Sequence, residues 1–277
     1  MKLLKSEFVR QRKNNGSIIA FNVQNITHLQ ILKKCADELG KPVIAQFSAR
    51  YISYWEDRIG LTTLVDRYQK EGVYFHLDHC RNKKLIKFCI DSGFAGVMFD
   101  GSSLSIEKNI QIANEIYDYI GRENPSAILE VELGAIVGME DGVEGGEKAD
   151  YYRQEDLDVM VEDGNFDIVA LAIGNAHGIY ETTADVKPQL LKKASNKYPD
   201  LNLVLHGGSG LPENMVRQCI SFGVVKMNVS TELKIATQEA LGEFIKFHSS
   251  FNENKWYDYA ENLISPFFKK YISKYTT

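Results

Sequence analysis

Val73-Tyr74-Phe75-His76-Leu77-Asp78-His79-Cys80 is the stretch on which the fold turns. Val73, Phe75 and Leu77 alternate with Tyr74, His76 and Asp78, the period of two that suits a β-strand. It is a buried strand that ends in chemistry. Asp78 and His79 stand side by side at its end, so their side chains diverge. One can hold a metal ion while the other faces a substrate. A lone His-x-Asp-His is more often a hydrogen-bonded core cluster, so the rest of the chain must decide.

The same unit recurs on both sides of it. Strand-like runs cover 18–23, 42–48, 96–100, 127–133, 167–173, 201–206 and 224–229. Helical patterns fall between them at 26–39, within 54–71, and at 82–92, 105–120, 154–161, 183–194, 212–221 and 231–248, with an amphipathic tail at 256–275. Gly40 closes the first helix, Asn82 can cap the third, and Pro212 sits near the start of the seventh. Eight strands alternating with eight helical segments predict a (β/α)8 barrel with an additional C-terminal helix packed outside. An open doubly wound sheet is the alternative. No linker, low-complexity segment or long internal repeat interrupts the pattern, so residues 1–277 are expected to form one domain. The exception to the short connections is a polar loop from Gly134 to Tyr151. It carries Gly134, Gly138, Gly142, Gly145 and Gly146, and loops of that length usually serve as lids or binding loops.

Composition narrows the function. The chain has 277 residues, of which 44% are hydrophobic and 25% charged, enough for a large core. The net charge of −5 and the lack of a basic block point away from nucleic acid. No apolar run is long enough to span a bilayer, and Met1–Glu7 lacks the apolar core of a signal peptide. Cys35, Cys80, Cys89 and Cys219 show no paired spacing and are expected to be reduced thiols of a cytoplasmic protein.

The polar residues share an address. Asp78 and His79 end the third strand, Asp100 the fourth and His206 the seventh; Glu132 lies near the end of the fifth, and His177 follows the sixth. In a (β/α)8 barrel these ends meet on one face, where active sites are built. Chance would scatter such residues over helices and loops. Three histidines, His79, His177 and His206, suit a zinc-like ion that keeps an open position. Glu132 and Asp100 are expected either to support those ligands or to form an alternative metal position. A second cluster joins His206-Gly207-Gly208-Ser209-Gly210 to Asn228-Val229-Ser230-Thr231. Loops after the last two strands, with a helix N-terminus, commonly bind phosphate in barrels.

Together these segments resemble the class II, zinc-dependent ketose-bisphosphate aldolases, the family of fructose- and tagatose-bisphosphate aldolases. The matching motifs are Ala20-Phe21-Asn22-Val23, His76-Leu77-Asp78-His79, Val97-Met98-Phe99-Asp100-Gly101-Ser102, Glu130-Val131-Glu132-Leu133-Gly134, Ala176-His177-Gly178-Ile179-Tyr180, His206–Gly210 and Lys226-Met227-Asn228-Val229-Ser230-Thr231. They run in family order from about residue 17 to 245. The resemblance implies zinc on His79, His177 and His206, with Glu132 and Asp100 holding it when it swings away from substrate. It implies that Asp78 handles the proton on the acceptor oxygen, and that Glu140, in Gly138-Met139-Glu140-Asp141-Gly142, takes the donor's proton. Gly178, Gly207, Gly208, Ser209, Asn228, Ser230 and Thr231 would cradle the donor phosphate, with Asn22 and Ser48 also at the substrate. A monovalent cation (Na⁺ or K⁺) near that cradle and a homodimer or homotetramer are further family properties. The expected substrates are a sugar phosphate and an aldehyde.

The sequence departs from the family pattern at several places. Glu181 stands where a lysine usually follows the His-Gly-x-Tyr motif. Ser48-Ala49-Arg50 replaces Ser-x-Gly, Ser230 replaces the usual Asp or Asn, and Asn254–Tyr259 lacks the arginine that grips the acceptor phosphate. The donor would remain dihydroxyacetone phosphate or a close relative, and the acceptor would be an aldehyde other than glyceraldehyde 3-phosphate, with or without a phosphate. The alternatives are a conventional fructose- or tagatose-bisphosphate aldolase, a metal-dependent hydrolase on the same barrel, and a non-catalytic aldolase-like subunit that stabilises a partner.

Overall fold

The computed structural model describes residues 3–53, 60–136, 138–140, 143–144, 151–178, 180, 183, 185–248, 250 and 252–277, without the side chains of 139, 140, 143 and 144. Eight strands form a closed parallel barrel: β1 (Ile18–Asn22), β2 (Val43–Ser48), β3 (Val73–Cys80), β4 (Gly96–Phe99), β5 (Ile128–Leu133), β8 (Ile168–Leu171), β9 (Leu203–Leu205) and β10 (Val224–Val229). Ile18 lies opposite Lys226, and this pairing of β1 with β10 closes the ring. The open-sheet alternative is thereby excluded. The remaining two strands, β6 (Met139–Glu140) and β7 (Val143–Glu144), form a small antiparallel pair in the long polar loop.

The helices start and stop where side chains satisfy backbone groups. In α2 (Ile26–Leu39) the Asn25 side chain accepts from the His28 amide, and Gly40 ends the helix in a left-handed conformation. In α5 (Lys83–Asp91) the Asn82 side chain accepts from Lys84 and Leu85. In α6 (Ile106–Glu123) Ser105 accepts from Lys108. Further along the chain, α7 (Gln154–Asp163), α9 (Glu213–Ser221) and α10 (Thr231–Phe247) complete the alternation much as their periodicity predicts. Helix α11 (Glu253–Tyr275) is the tail, capped by Asn252 and starting three residues before the expected Trp256. It lies outside the barrel, where Phe268 meets Phe21 of β1 edge-on at 4.8 Å between centroids.

Several boundaries differ from the sequence expectation. The helix expected within 54–71 is α4 (Leu61–Lys70), and residues 54–59 lie outside the described ones. The helix expected at 183–194 is α8 (Gln189–Lys197), because Pro188 cannot donate an amide and forms its cap. A one-turn helix, α3 (Ala49–Ser53), continues directly from β2.

Helix α1 (Leu4–Lys13) had no counterpart in the sequence pattern, since its apolar face is little more than Leu4 and Phe8. Those two side chains stopper the N-terminal end of the barrel. They pack with Ile18, Ala20, Ile44, Tyr74, Ile128, Ile168, Ala170, Val204 and Val225 in a core separate from the larger one beneath the outer helices. One step further along the strands the interior becomes polar. Gln46, His76, Glu130, His206 and Lys226 are all fully buried there. Glycine at position 96 makes room for this layer, because a Cβ there would meet the His76 ring at 2.5 Å.

Candidate active site

The C-terminal ends of the strands bring Asn22, Asp78, His79, Glu132, His206 and Asn228 to one buried mouth. His79 reaches it through a backbone irregularity. Its φ is 39°, a left-handed value for a non-glycine residue, and the β3–β4 register shifts between Leu77 and Cys80. Strict alternation would put adjacent residues on opposite faces of the strand. The kink instead lets Asp78 and His79 both serve the mouth while pointing to different sides of it. Asp78 meets Asn22 and Asn228; His79 meets His206 and approaches Asp100 and Glu132. Such backbone strain costs roughly 1–3 kcal/mol and persists where the surrounding structure imposes it.

Two groups of ligand atoms converge on His79. His79, His177 and His206 form one, and His79, Asp100 and Glu132 form the other, each with its ligand atoms within 4.8 Å of one another. His79 Nε2 lies 2.9 Å from His206 Nδ1, while its Nδ1 lies 3.7 Å from Asp100 Oδ2 and 3.8 Å from Glu132 Oε2. One edge of the ring therefore faces the histidines and the other faces the carboxylates. Burial pushes the His206 pKa down to about 4, so the imidazole is uncharged and can ligate at neutral pH. Burial pushes Glu132 up to about 8, and its Oε2 makes no hydrogen bond. The uncharged His206 imidazole, with His79 and His177 converging on it beside an orphaned, buried carboxyl oxygen, fits a zinc-type cation.

Beneath this mouth lies a charged floor. Glu130 is within 2.8 Å of both Lys226 Nζ and His206 Nε2, and within 3.3 Å of His76 Nε2. Burial alone would raise Glu130, but Lys226 and the two histidines overcome it and hold the carboxyl well below its ordinary value. Because Glu130 accepts the Nε2 proton of His206, the Nδ1 lone pair of that ring turns toward the other histidines. Lys226 also donates to Asn228 Oδ1 at 2.8 Å. Asn228 in turn lies 3.4 Å from Asp78 Oδ1, and Asn22 donates to Asp78 Oδ2 at 3.0 Å while accepting from Gln46. Asp78 is thus clamped from two sides by amides anchored in the barrel interior.

The glycine loops lie beside the same mouth. Gly207 takes a φ of 62°, and a Cβ there would run into the Ala176 carbonyl. The Tyr180 hydroxyl accepts from the Ala176 amide and donates to the Gly207 carbonyl, both at 2.9 Å, tying the loop carrying His177 and Gly178 to the loop carrying Ser209. Gly208 donates to the Asn228 carbonyl, Thr231 begins α10, and the buried Ser230 hydroxyl makes no hydrogen bond. The Glu232 carboxylate accepts from the Gly210 amide at 3.2 Å and from the Tyr271 hydroxyl of α11.

Ser48 ends β2 in register with Asp78 of β3 and accepts from the Tyr51 amide of α3. For Glu140 the backbone position in β6 is described, and Gly138, two residues before it, abuts the His177 carbonyl. Glu181, Asp141, Gly142, Gly145 and Gly146 lie outside the described residues. Sequence reasoning gave no separate role to His76, Glu130, Lys226 or Arg81. The period of two carried the signal for the first three: each lies two residues before a polar residue of the mouth, namely Asp78, Glu132 and Asn228. Arg81, which binds Asp100, carried no such signal.

Comparison with known proteins points to one family. The family model for class-II fructose-bisphosphate aldolase matches residues 4–276. A fructose-bisphosphate aldolase of Streptococcus pneumoniae is 33% identical over 249 residues, covering 87% of this chain and 82% of that protein. A 6-phospho-5-dehydro-2-deoxy-D-gluconate aldolase of Halalkalibacterium halodurans is 33% identical over 261 residues, covering 92% and 87%. Among solved structures, the YdjI aldolase from Escherichia coli K12 superposes with a TM-score of 0.81 at 24% identity, over 98% of this chain and 96% of that one. That likeness speaks for the fold.

Proposed function

The chain belongs to the class II fructose-bisphosphate aldolase family, and on that premise we propose that it is a zinc-dependent aldolase using dihydroxyacetone phosphate as donor and an aldehyde without phosphate as acceptor. The observation that carries this reading is the convergence of three imidazoles and a clamped Asp78 on one mouth beside the glycine loops. His79, His177 and His206 would hold the zinc ion. When bound, zinc supplies Lewis-acid polarisation of the ketone, so no lysine Schiff base is needed.

The chain's own residues do the rest. Glu140 takes the proton from the donor carbon beside the carbonyl, and its place on the long loop lets it arrive with substrate. Asp78 gives a proton to the acceptor oxygen in condensation and removes it in cleavage, held at that oxygen by Asn22 and Asn228. The amides of Gly178, Gly207 and Ser209 and the N-terminus of α10 receive the donor phosphate, with Gly208, Asn228, Ser230 and Thr231 beside it. Glu132 and Asp100 offer the neighbouring metal position. A Na⁺ or K⁺ ion at the cradle, a homodimer or homotetramer and a cytoplasmic location complete the proposal.

The altered acceptor is supported from two directions. No arginine follows Arg217 in the chain, so the C-terminal segment offers no guanidinium for a second phosphate. The relatives also divide by name between a bisphosphate substrate and one with a single phosphate, at equal identity of 33%. Two measurements test the reading. With zinc and dihydroxyacetone phosphate in heavy water, the C3 hydroxymethyl proton should exchange, and Glu140→Ala should abolish the exchange. In condensation assays, kcat/KM should favour plain aldehydes over glyceraldehyde 3-phosphate; the reverse preference would make the protein a conventional fructose- or tagatose-bisphosphate aldolase.

A further inference from the structure

The two groups of metal-ligating atoms are adjacent and share His79, so one ion has two places to go. What distinguishes them is Asp100. Its Oδ1 already accepts from the Ser102 amide at 3.2 Å and the Ser102 hydroxyl at 2.6 Å. Its Oδ2, the oxygen that faces His79 Nδ1, accepts from Arg81 Nε at 3.2 Å and Nη2 at 3.0 Å. An ion placed between His79 and Asp100 would have to take the oxygen that Arg81 holds, and would then sit beside a guanidinium cation. The three-histidine position requires nothing from Asp100. Arg81 follows directly on β3, one residue past Cys80, so its backbone is fixed by the same strand that carries His79.

We propose that Arg81 acts as a positioning residue that holds Asp100 away from the metal and so biases the ion toward the position of His79, His177 and His206. The inference rests on the zinc reading above and deepens it. Arg81 is 48% exposed while Asp100 is buried, so the pair sets a bias and does not lock the site. An ion pair with one such partner shifts an equilibrium by a factor of roughly five. A guanidinium cannot be neutralised at accessible pH, so the bias holds across the working range.

Zinc-loaded crystals of the wild type, Arg81→Ala and Arg81→Lys, with anomalous maps at the zinc edge, provide the test, and none of the readouts requires activity. The wild type and Arg81→Lys should show zinc at the three-histidine position. Arg81→Ala should move the ratio of the two occupancies about five-fold toward His79, Asp100 and Glu132. In an Asp100→Ala background, the further change Arg81→Ala should leave the zinc distribution unaltered. An unchanged distribution in Arg81→Ala, or an equal shift on adding Arg81→Ala to Asp100→Ala, would overturn the role of Arg81 while leaving the zinc site intact. Zinc bound at neither position would overturn both.

Discussion

The two ends of one barrel are filled by opposite means. At the N-terminal end Leu4 and Phe8 of α1 pack against Ile18, Ile44, Ile128, Ile168 and Val204. One layer up, on the same strands and equally out of contact with water, stand His76, Glu130, His206 and Lys226. The first layer stabilises by burying apolar surface. The second must overcome the desolvation of at least two charges, and a well-packed apolar substitute would often be as stable or more so. Stability therefore does not account for the polar layer. Its geometry does: Glu130 fixes the orientation of His206, and Lys226 connects Glu130 to Asn228 and so to Asp78.

Matched damage to the two layers separates these roles. Phe8→Ala should cost about 3–5 kcal/mol through the cavity it leaves. Lys226→Met should cost a similar ~3–5 kcal/mol, because it strands the Glu130 carboxylate in the interior. Chemical denaturation would measure both. Zinc affinity should then part them: unchanged in Phe8→Ala at temperatures where it remains folded, and reduced roughly 10- to 100-fold in Glu130→Gln, which weakens the hold on His206. The double variant Glu130→Gln/Lys226→Met should regain much of the stability lost by Lys226→Met alone, and no more zinc affinity than Glu130→Gln. Loss of zinc binding in Phe8→Ala would end the distinction between the layers.

Both layers were unequally legible in the sequence. The strands were clear because their buried runs are β-branched, period-two and bounded by Gly, Asn or Pro. The barrel followed from their count. The mouth residues were legible because strand ends share one face in this topology, so His79, Asp100, Glu132 and His206 converge as their positions along the chain imply. Helix α1 was not legible, since a plug needs only two apolar side chains and so shows little amphipathic pattern. Glu130 and Lys226 were visible as motif letters without a partner, because nothing in one sequence says that β5 and β10 point these side chains at each other across the barrel. The kink at His79 was also hidden, since positive φ is uncommon at any non-glycine residue and a histidine inside a period-two run does not by itself signal it.

The pH dependence of the metal-free protein sharpens the comparison with a smaller effect. Burial lowers His76 and His206 to about 4, and does the same to His28 between α2 and α10. The unfolded chain takes up these protons near pH 6.5 and the folded one near pH 4, so their contribution to stability is present above 6.5 and is lost as pH falls toward 4. Glu132 has the opposite sign. Its pKa is raised to about 8, so its contribution is present below its unfolded value and is lost as pH rises through 8. Each group acts with a slope of up to about 1.4 kcal/mol per pH unit. Three histidines outweigh one carboxyl on the acid side, and of these four groups Glu132 is the one that acts between 6.5 and 8, so their joint contribution should peak near pH 6.5. Glu132→Gln, or loading with zinc, should remove the decline between 6.5 and 8, because a cation beside Glu132 favours its charged form. Melting temperatures in chelator and in zinc would show it; an alkaline decline that survives both changes would mean that another group causes it.

The smallest expected effect concerns the kink that brings the polar layer to the mouth. At ordinary strand geometry alanine is more stable than glycine by roughly 0.5–1 kcal/mol. At a φ of 39° the preference should invert, because the Cβ of alanine is strained there and glycine is not. Metal-free His79→Gly should therefore be more stable than metal-free His79→Ala by about 1 kcal/mol, although both lose the same ligand. The comparison isolates the backbone, since neither variant can bind through an imidazole. If alanine proves the more stable, His79 is not held in a strained conformation once its ring contacts are gone, and the kink is made by those contacts. If glycine wins, the strain is imposed by β3 and its neighbours, and the chain gives up stability at this residue to let Asp78 and His79 serve one mouth from adjacent positions.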